Sequence, residues 1–184
     1  MNTLTIFLAV LGLAALWLVA TFNSLVRLRN RAKEALSDID VQLKRRFDLI
    51  PNLIETVKGY MQHEKSVLEN VTKARTAVMS MNGNALERDN AEKQLSNTLK
   101  TLFAVSENYP DLKANTNFLE LQRELSDTEN KIQASRRFYN TMVMSLNTKI
   151  QSFPDNLIAK PFGFSEEKFF ATIESEKEPV KVKF

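Results

Sequence analysis

DIDVQLKRRFDLIPNLIETVKGY, residues 38–60, carries a helical pattern into Pro51 and out again without losing phase. Upstream the apolar or small residues are Leu28, Ala32, Leu36, Ile39, Leu43, Phe47 and Ile50, spaced three or four apart. That is one stripe on a helix, not the alternation of a strand. Beyond the proline the stripe continues at Ile54, Val57, Met61, Leu68, Val71 and Val78, with Glu64 as a polar interruption. A proline inside a helix removes a backbone donor and normally bends or ends it. Two readings follow. Either Pro51 is a hinge dividing two bundle helices, with Asn52 capping the second and Glu55 completing a capping box, or one long helix from Arg27 bends there once. A break with modest reorientation is the expectation, with Leu49, Ile50, Leu53 and Ile54 buried through it. Pro110 is expected to lie at a similar height in an antiparallel hairpin.

The rest of the chain is helical in the same sense. MNGN at 81–84 is the first strong breaker, and Asn84 with Glu87 three residues later resembles a capping box. Ala91, Leu95, Thr98, Leu102 and Val105 form the next stripe, and NYPDLKAN, residues 108–115, reads as a loop. Leu121, Leu125, Thr128, Ile132, Ser135, Tyr139, Met142, Leu146 and Ile150 then predict one long helix over about 116–152, closed by Pro154. None of these helices can bury its stripe alone. The expected fold is all-α: a single N-terminal transmembrane helix followed by an up-and-down antiparallel bundle of four main helices, the first two possibly one kinked helix. The expected divisions are residues 1–26, 27–153 and 154–184.

The membrane helix is read from Leu4 to Phe22, 19 residues without a charge. At 1.5 Å per residue they reach about 28 Å, close to the hydrocarbon core of a bilayer. Trp17 and Phe22 lie toward one end, where amphipathic rings favour the interface. A cleaved signal peptide would want a basic leader and an A-x-A-like exit, and neither is present. Arg27 to Arg46 holds seven basic against three acidic residues, a net of +4, whereas the whole chain nets only +3. The flank Arg27, Arg29, Arg31 and Lys33 is read as retained in the cytoplasm and in contact with anionic headgroups. This predicts a single-pass protein with its N-terminus outside and its soluble domain cytoplasmic.

Little in the chain suggests catalysis. It has no Cys, and His63 is its only His. That excludes a disulfide framework, a thiolate metal site and an H-E-x-x-H pair. The four glycines form no phosphate-cradling loop. No enzyme activity, cofactor or metal is expected. The residues after Arg46 net to −1 and show no nucleic-acid motif, so nucleic acid is not an expected partner. Lys44, Arg45 and Arg46 are candidate interaction residues, and ion pairing with Glu124, Asp127 or Glu129 of a neighbouring helix is the simpler role. Phe162, Phe164, Phe169 and Phe170 crowd into nine residues of the C-terminal segment. Packing on the bundle, contact with the membrane and docking of a partner are all open to them. The terminal ESEKEPVKVKF is expected to be loosely held.

Several of these stretches also resemble one known family. VRLRNRAKEALSDIDVQLKRRFDLIPNLIETVKGYMQHEKSVLENVTKAR, LFAVSENYPDLKANTNFLELQRELSDTENKIQASRRFYN, NTKIQSFP and PFGF are similar to the corresponding segments of LemA proteins. The resemblance runs from about residue 23 to the end. At position 36 the pattern favours Trp, and Leu keeps that position apolar. The resemblance implies a bacterial membrane protein with a soluble antiparallel bundle of four main helices and no established catalytic activity, so no catalytic residue is carried over. It also implies an accessory or scaffold role, with some relatives linked to shaping internal membranes. The expected partners are the lipid bilayer, further copies of the chain and other membrane proteins.

Overall fold

A computed structural model of the chain describes residues 2–170. Residues 171–184, which include the charged terminal stretch, lie outside the described residues. Every regular element described is helical: α1 Thr3–Lys58, α2 Lys65–Ser80, α3 Asp89–Ser106, α4 Pro110–Lys113, α5 Thr116–Gln151 and α6 Asn156–Ala159. The four long ones are the expected main helices. The described residues divide into two compact units, one formed by residues 36–137 and the other by residues 2–35 together with 138–170.

In the unit of residues 36–137, α1 buries Ile39, Leu43, Phe47, Ile50, Leu53 and Val57. Leu49 and Ile54 are half-buried rather than buried. The expected break at Pro51 does not occur, because α1 runs through it to Lys58. Pro51 has no N–H to give the carbonyl of Phe47. Arg75 of α2 supplies the missing donor, its Nε donating to that carbonyl at 3.2 Å. The reversal comes eight residues later, at Gly59–Glu64, where Tyr60 and Met61 both donate to the Val57 carbonyl. The loop at 59–64 is therefore the one that meets the Pro110 region. Asn115 Nδ2 donates to the Tyr60 hydroxyl at 3.0 Å, and the Tyr109 hydroxyl donates to Glu64 at 3.2 Å.

The other turns follow local chemistry. Gly83 has φ +129, a conformation that side chains other than hydrogen disfavour, and a Cβ there would also run into the Glu87 carboxylate. The capping box forms: Asn84 Oδ1 accepts from the Leu86 and Glu87 amides, and Glu87 Oε2 accepts from the Asn84 amide. It closes a turn just ahead of α3. Asn115 caps α5 through the Phe118 amide at 3.0 Å. The buried line of α3 is Glu92, Leu95, Leu99, Leu102 and Ser106, so the true stripe is rotated from the apolar one and includes an acid.

In the other unit, Leu25 of α1 packs with Leu146 and Ile150 of α5, Ile158 and Ala159 of α6, and Phe164. α6 ends in a Schellman arrangement. Gly163, at φ +72, donates to the Lys160 carbonyl, and Phe164 donates to the Ala159 carbonyl at 2.9 Å. That reversal returns Phe164 to the core. Every residue from Asn2 through Ala20, by contrast, is exposed.

Candidate functional site

Two clusters of side chains stand out, one in each unit. The first surrounds Arg46, which sequence reading places in a basic run. Arg46 is 2% exposed and Glu92 of α3 is 1% exposed. The guanidinium holds the Glu92 carboxylate through Nη2, and through Nη1 it donates to Glu129 at 2.9 Å and to Ser96 at 2.8 Å. Around this centre Arg88 pairs with Asp40 at 2.6 Å, Arg136 with Asp89 at 3.0 Å, and Lys93 with Asp89 at 2.8 Å. Four cations thus face four carboxylates from α1, α3 and α5 and the turn before α3. Burial pushes the Glu92 carboxyl above the ordinary glutamate range, and the fields of Arg46, Arg88 and Arg136 oppose that only in part.

A cleft of about 250 Å³ opens beside Arg46, Ser96 and Glu129, walled by Leu99, Phe103 and Leu125. A perturbed carboxylate next to a cleft is a pattern that active sites share. Here, though, Arg46 engages both acids that face it and Ser96, and the surrounding charges cancel. What the arrangement can do chemically is hold three helices in one axial register.

The two neighbours of Arg46 differ: only Arg45 faces an acid of another helix, while Lys44 pairs within α1. Arg45 faces Glu124 at 3.8 Å, and Lys44 pairs along its own helix with Asp48 at 2.8 Å. His63 is exposed. Among the described residues, no three His, Cys, Asp or Glu side chains are grouped to hold a metal ion.

The second cluster lies where the apolar run of α1 ends. Thr21 donates from its hydroxyl to Asp155 at 3.1 Å, and Lys149 stands 3.6 Å from the same carboxylate. The Phe22 ring meets Phe162 edge-on at 5.2 Å and Phe164 at 5.8 Å. Arg29 lies over the Phe164 ring, 4.8 Å from its centroid. The other flank residues, Arg27, Arg31 and Lys33, are exposed. Of the four candidate phenylalanines, Phe164 and Phe170 are buried while Phe162 and Phe169 are exposed.

Two asparagines fasten the chain that follows Phe164. Asn147 accepts from the Glu167 amide and donates to its carbonyl, both at 2.9 Å. Asn140 does the same for Phe170, at 2.9 and 3.1 Å. The spacings match: seven helical residues rise about 10.5 Å and three extended residues span about 10 Å. The segment therefore runs extended and antiparallel to α5. Tyr139 adds a hydroxyl bond to the Lys168 carbonyl at 3.0 Å and an edge contact with Phe170. Its burial, with Glu167 close by, raises the phenol above its ordinary pKa.

Sequence reading missed Glu92, Arg75, Asn140 and Asn147. Glu92 stands three and seven residues before Leu95 and Leu99, so its spacing was a signal. Asn140 and Asn147, a heptad apart beside the stripe of α5, were another.

The model of the LemA family matches residues 35–184. Protein LemA of Metamycoplasma hominis is 28% identical over 171 residues, covering 93% of this chain and 78% of its own length. Magnetosome protein MamQ 2 of Paramagnetospirillum magneticum is 23% identical over 178 residues, covering 83% of this chain. The chain spans 65% of that relative. Magnetosome protein MamQ of Magnetospirillum gryphiswaldense is 23% identical over 194 residues, covering 91% of this chain and 71% of its own.

Proposed function

The chain belongs to the LemA family, and from that premise we propose that it is a membrane-anchored, non-catalytic scaffold or adaptor that assembles with copies of itself. One observation carries the reading. Every residue of the apolar start of α1, a candidate membrane span, is exposed from Asn2 to Ala20, so a bilayer is the environment its composition calls for. Tethering confines copies to a surface and raises their effective concentration, which favours association through long helix faces. The basic flank supports an orientation with the N-terminus outside and the residue 36–137 bundle in the cytoplasm of a bacterium, at the inner membrane. The reading as non-catalytic is supported by the pairing around Arg46, whose guanidinium engages both Glu92 and Glu129 beside the cleft.

Membrane shaping is a special case of the same assembly, and the magnetosome names of the MamQ relatives favour it. The test is the mass of the full chain in lipid nanodiscs and in mild detergent, by light scattering. The expected result is a discrete multimer. A strictly monomeric particle that crosslinks to nothing in its native membrane overturns the scaffold reading. Protease treatment of sealed cells checks orientation, because cleavage of the bundle from outside would refute it. Electron microscopy of vesicles containing the protein reads any change of membrane shape.

A further inference from the structure

We propose that the elbow between α5 and Phe164, residues 153–162, enters the bilayer interface beside the anchor and gives the chain a second lipid contact. The elbow is fixed at one level of α1. Thr21 bonds Asp155, and Phe22 packs on Phe162, which places the elbow where the apolar run stops and the basic flank begins. Its side chains divide into two sets. Ile158, Ala159 and Phe164 are buried against Leu25, Leu146 and Ile150. Phe153 is 79% exposed, Leu157 63% and Phe162 53%, so the core makes little use of them.

Three exposed large apolar side chains within ten residues, joined to the end of the membrane span through the Phe22–Phe162 contact, match the composition of segments that lie in the headgroup and upper acyl region. The polar groups nearby suit that depth. Asp155 is offset by Lys149, and Lys160, Arg27 and Arg31 are exposed where lipid phosphates would be. A lipid surface is the occupant these observations select. The contact would fix the tilt and rotation of the anchor, which a lone helix leaves free.

The proposal rests on the anchor reading, and the test separates the two. The chain has no Cys, so single cysteines can be labelled with an environment-sensitive fluorophore in the full-length protein. Phe153→Cys and Leu157→Cys report the elbow, Leu13→Cys the anchor, and Val41→Cys an exposed position in the bundle. Far-UV circular dichroism checks that each variant keeps its helices. The proteins are placed in vesicles of phosphatidylglycerol and phosphatidylethanolamine whose acyl chains are brominated near the headgroup or near the methyl end. The expected result is quenching of labels 153 and 157 by shallow bromines, with shielding from aqueous iodide, while label 13 is quenched by deep bromines and label 41 only by iodide. If label 13 is quenched but labels 153 and 157 behave as label 41 does, the elbow proposal fails and the anchor stands. If label 13 escapes deep bromines, both fail. Shielding of the elbow from iodide without quenching by either lipid means that protein covers it, and this also overturns the proposal.

Discussion

Replacing Pro51 by Ala tests whether Arg75 is there to serve the carbonyl that the proline strands. A helix-interior Pro is about 3 kcal/mol worse than Ala. Part of that cost is a lost hydrogen bond, and here the Phe47 carbonyl recovers one from Arg75 at 3.2 Å. A net hydrogen bond contributes roughly 1 kcal/mol, so Pro51→Ala is expected to stabilise the bundle by about 2 kcal/mol with helicity unchanged. Arg75→Met in the natural background leaves the carbonyl unpaired and should cost about 1–3 kcal/mol. In the Pro51→Ala background the amide of residue 51 takes over, and the same substitution should cost less by about 1 kcal/mol or more. The assay is urea denaturation of the full-length protein in mild detergent, followed by far-UV circular dichroism, over the four members of the cycle. An equal cost of Arg75→Met in both backgrounds would refute the reasoning, because Arg75 would then stabilise through something other than that carbonyl.

Arg46→Met leaves Glu92 buried without its main partner and should cost about 3–5 kcal/mol, whereas Arg46→Met with Glu92→Leu should cost less than that single change. Urea midpoints at equal slope decide this. Glu92 also sets a pH dependence. The folded chain holds its proton to a higher pH than the unfolded chain does, so stability should fall as pH rises from the ordinary glutamate range through the raised pKa, and then level off. Glu92→Gln removes that fall, measured as the difference between the two proteins' urea midpoints across pH. Asn147→Ala should deprotect the Glu167 amide to hydrogen exchange more than the Phe170 amide, and Asn140→Ala the reverse, read residue by residue by mass spectrometry with electron-transfer fragmentation.

The long helices were legible because their stripes are long. The pattern from Leu121 to Ile150 predicts a helix over 116–152, and α5 ends within a residue of that. Where a helix stops was less legible. Pro51 is the stronger local signal, yet α1 passes it because a side chain distant in sequence repairs the ladder. Gly59 is a weak signal at negative φ, and the loop it opens is closed by Tyr60, Glu64, Tyr109 and Asn115, partners known only once the chain is folded. The rotated stripe of α3 has the same origin. An acid reads as a surface residue until its arginine is seen. For Asn140 and Asn147 the spacing was legible but the partner was not, because both recognise backbone, and backbone carries no sequence signature.

An apolar stripe specifies which face of a helix is buried, but it barely specifies how far one helix slides along another. A shift of three or four residues returns apolar residues to the same face. The ion pairs remove that freedom. Arg46 must meet Glu92 and Glu129 together, Arg88 must reach Asp40, and Arg136 must reach Asp89. A slip of one turn, about 5.4 Å, would leave buried charges unpaired. Buried pairs of this kind add little net stability and are best attested as devices that fix register. In the self-assembly proposed above, register would decide which residues share a helix face. The combined Arg46→Met and Glu92→Leu protein can therefore stay folded and still lose a uniform assembly, which would appear as a broadened mass distribution in nanodiscs beside an ordinary helical spectrum.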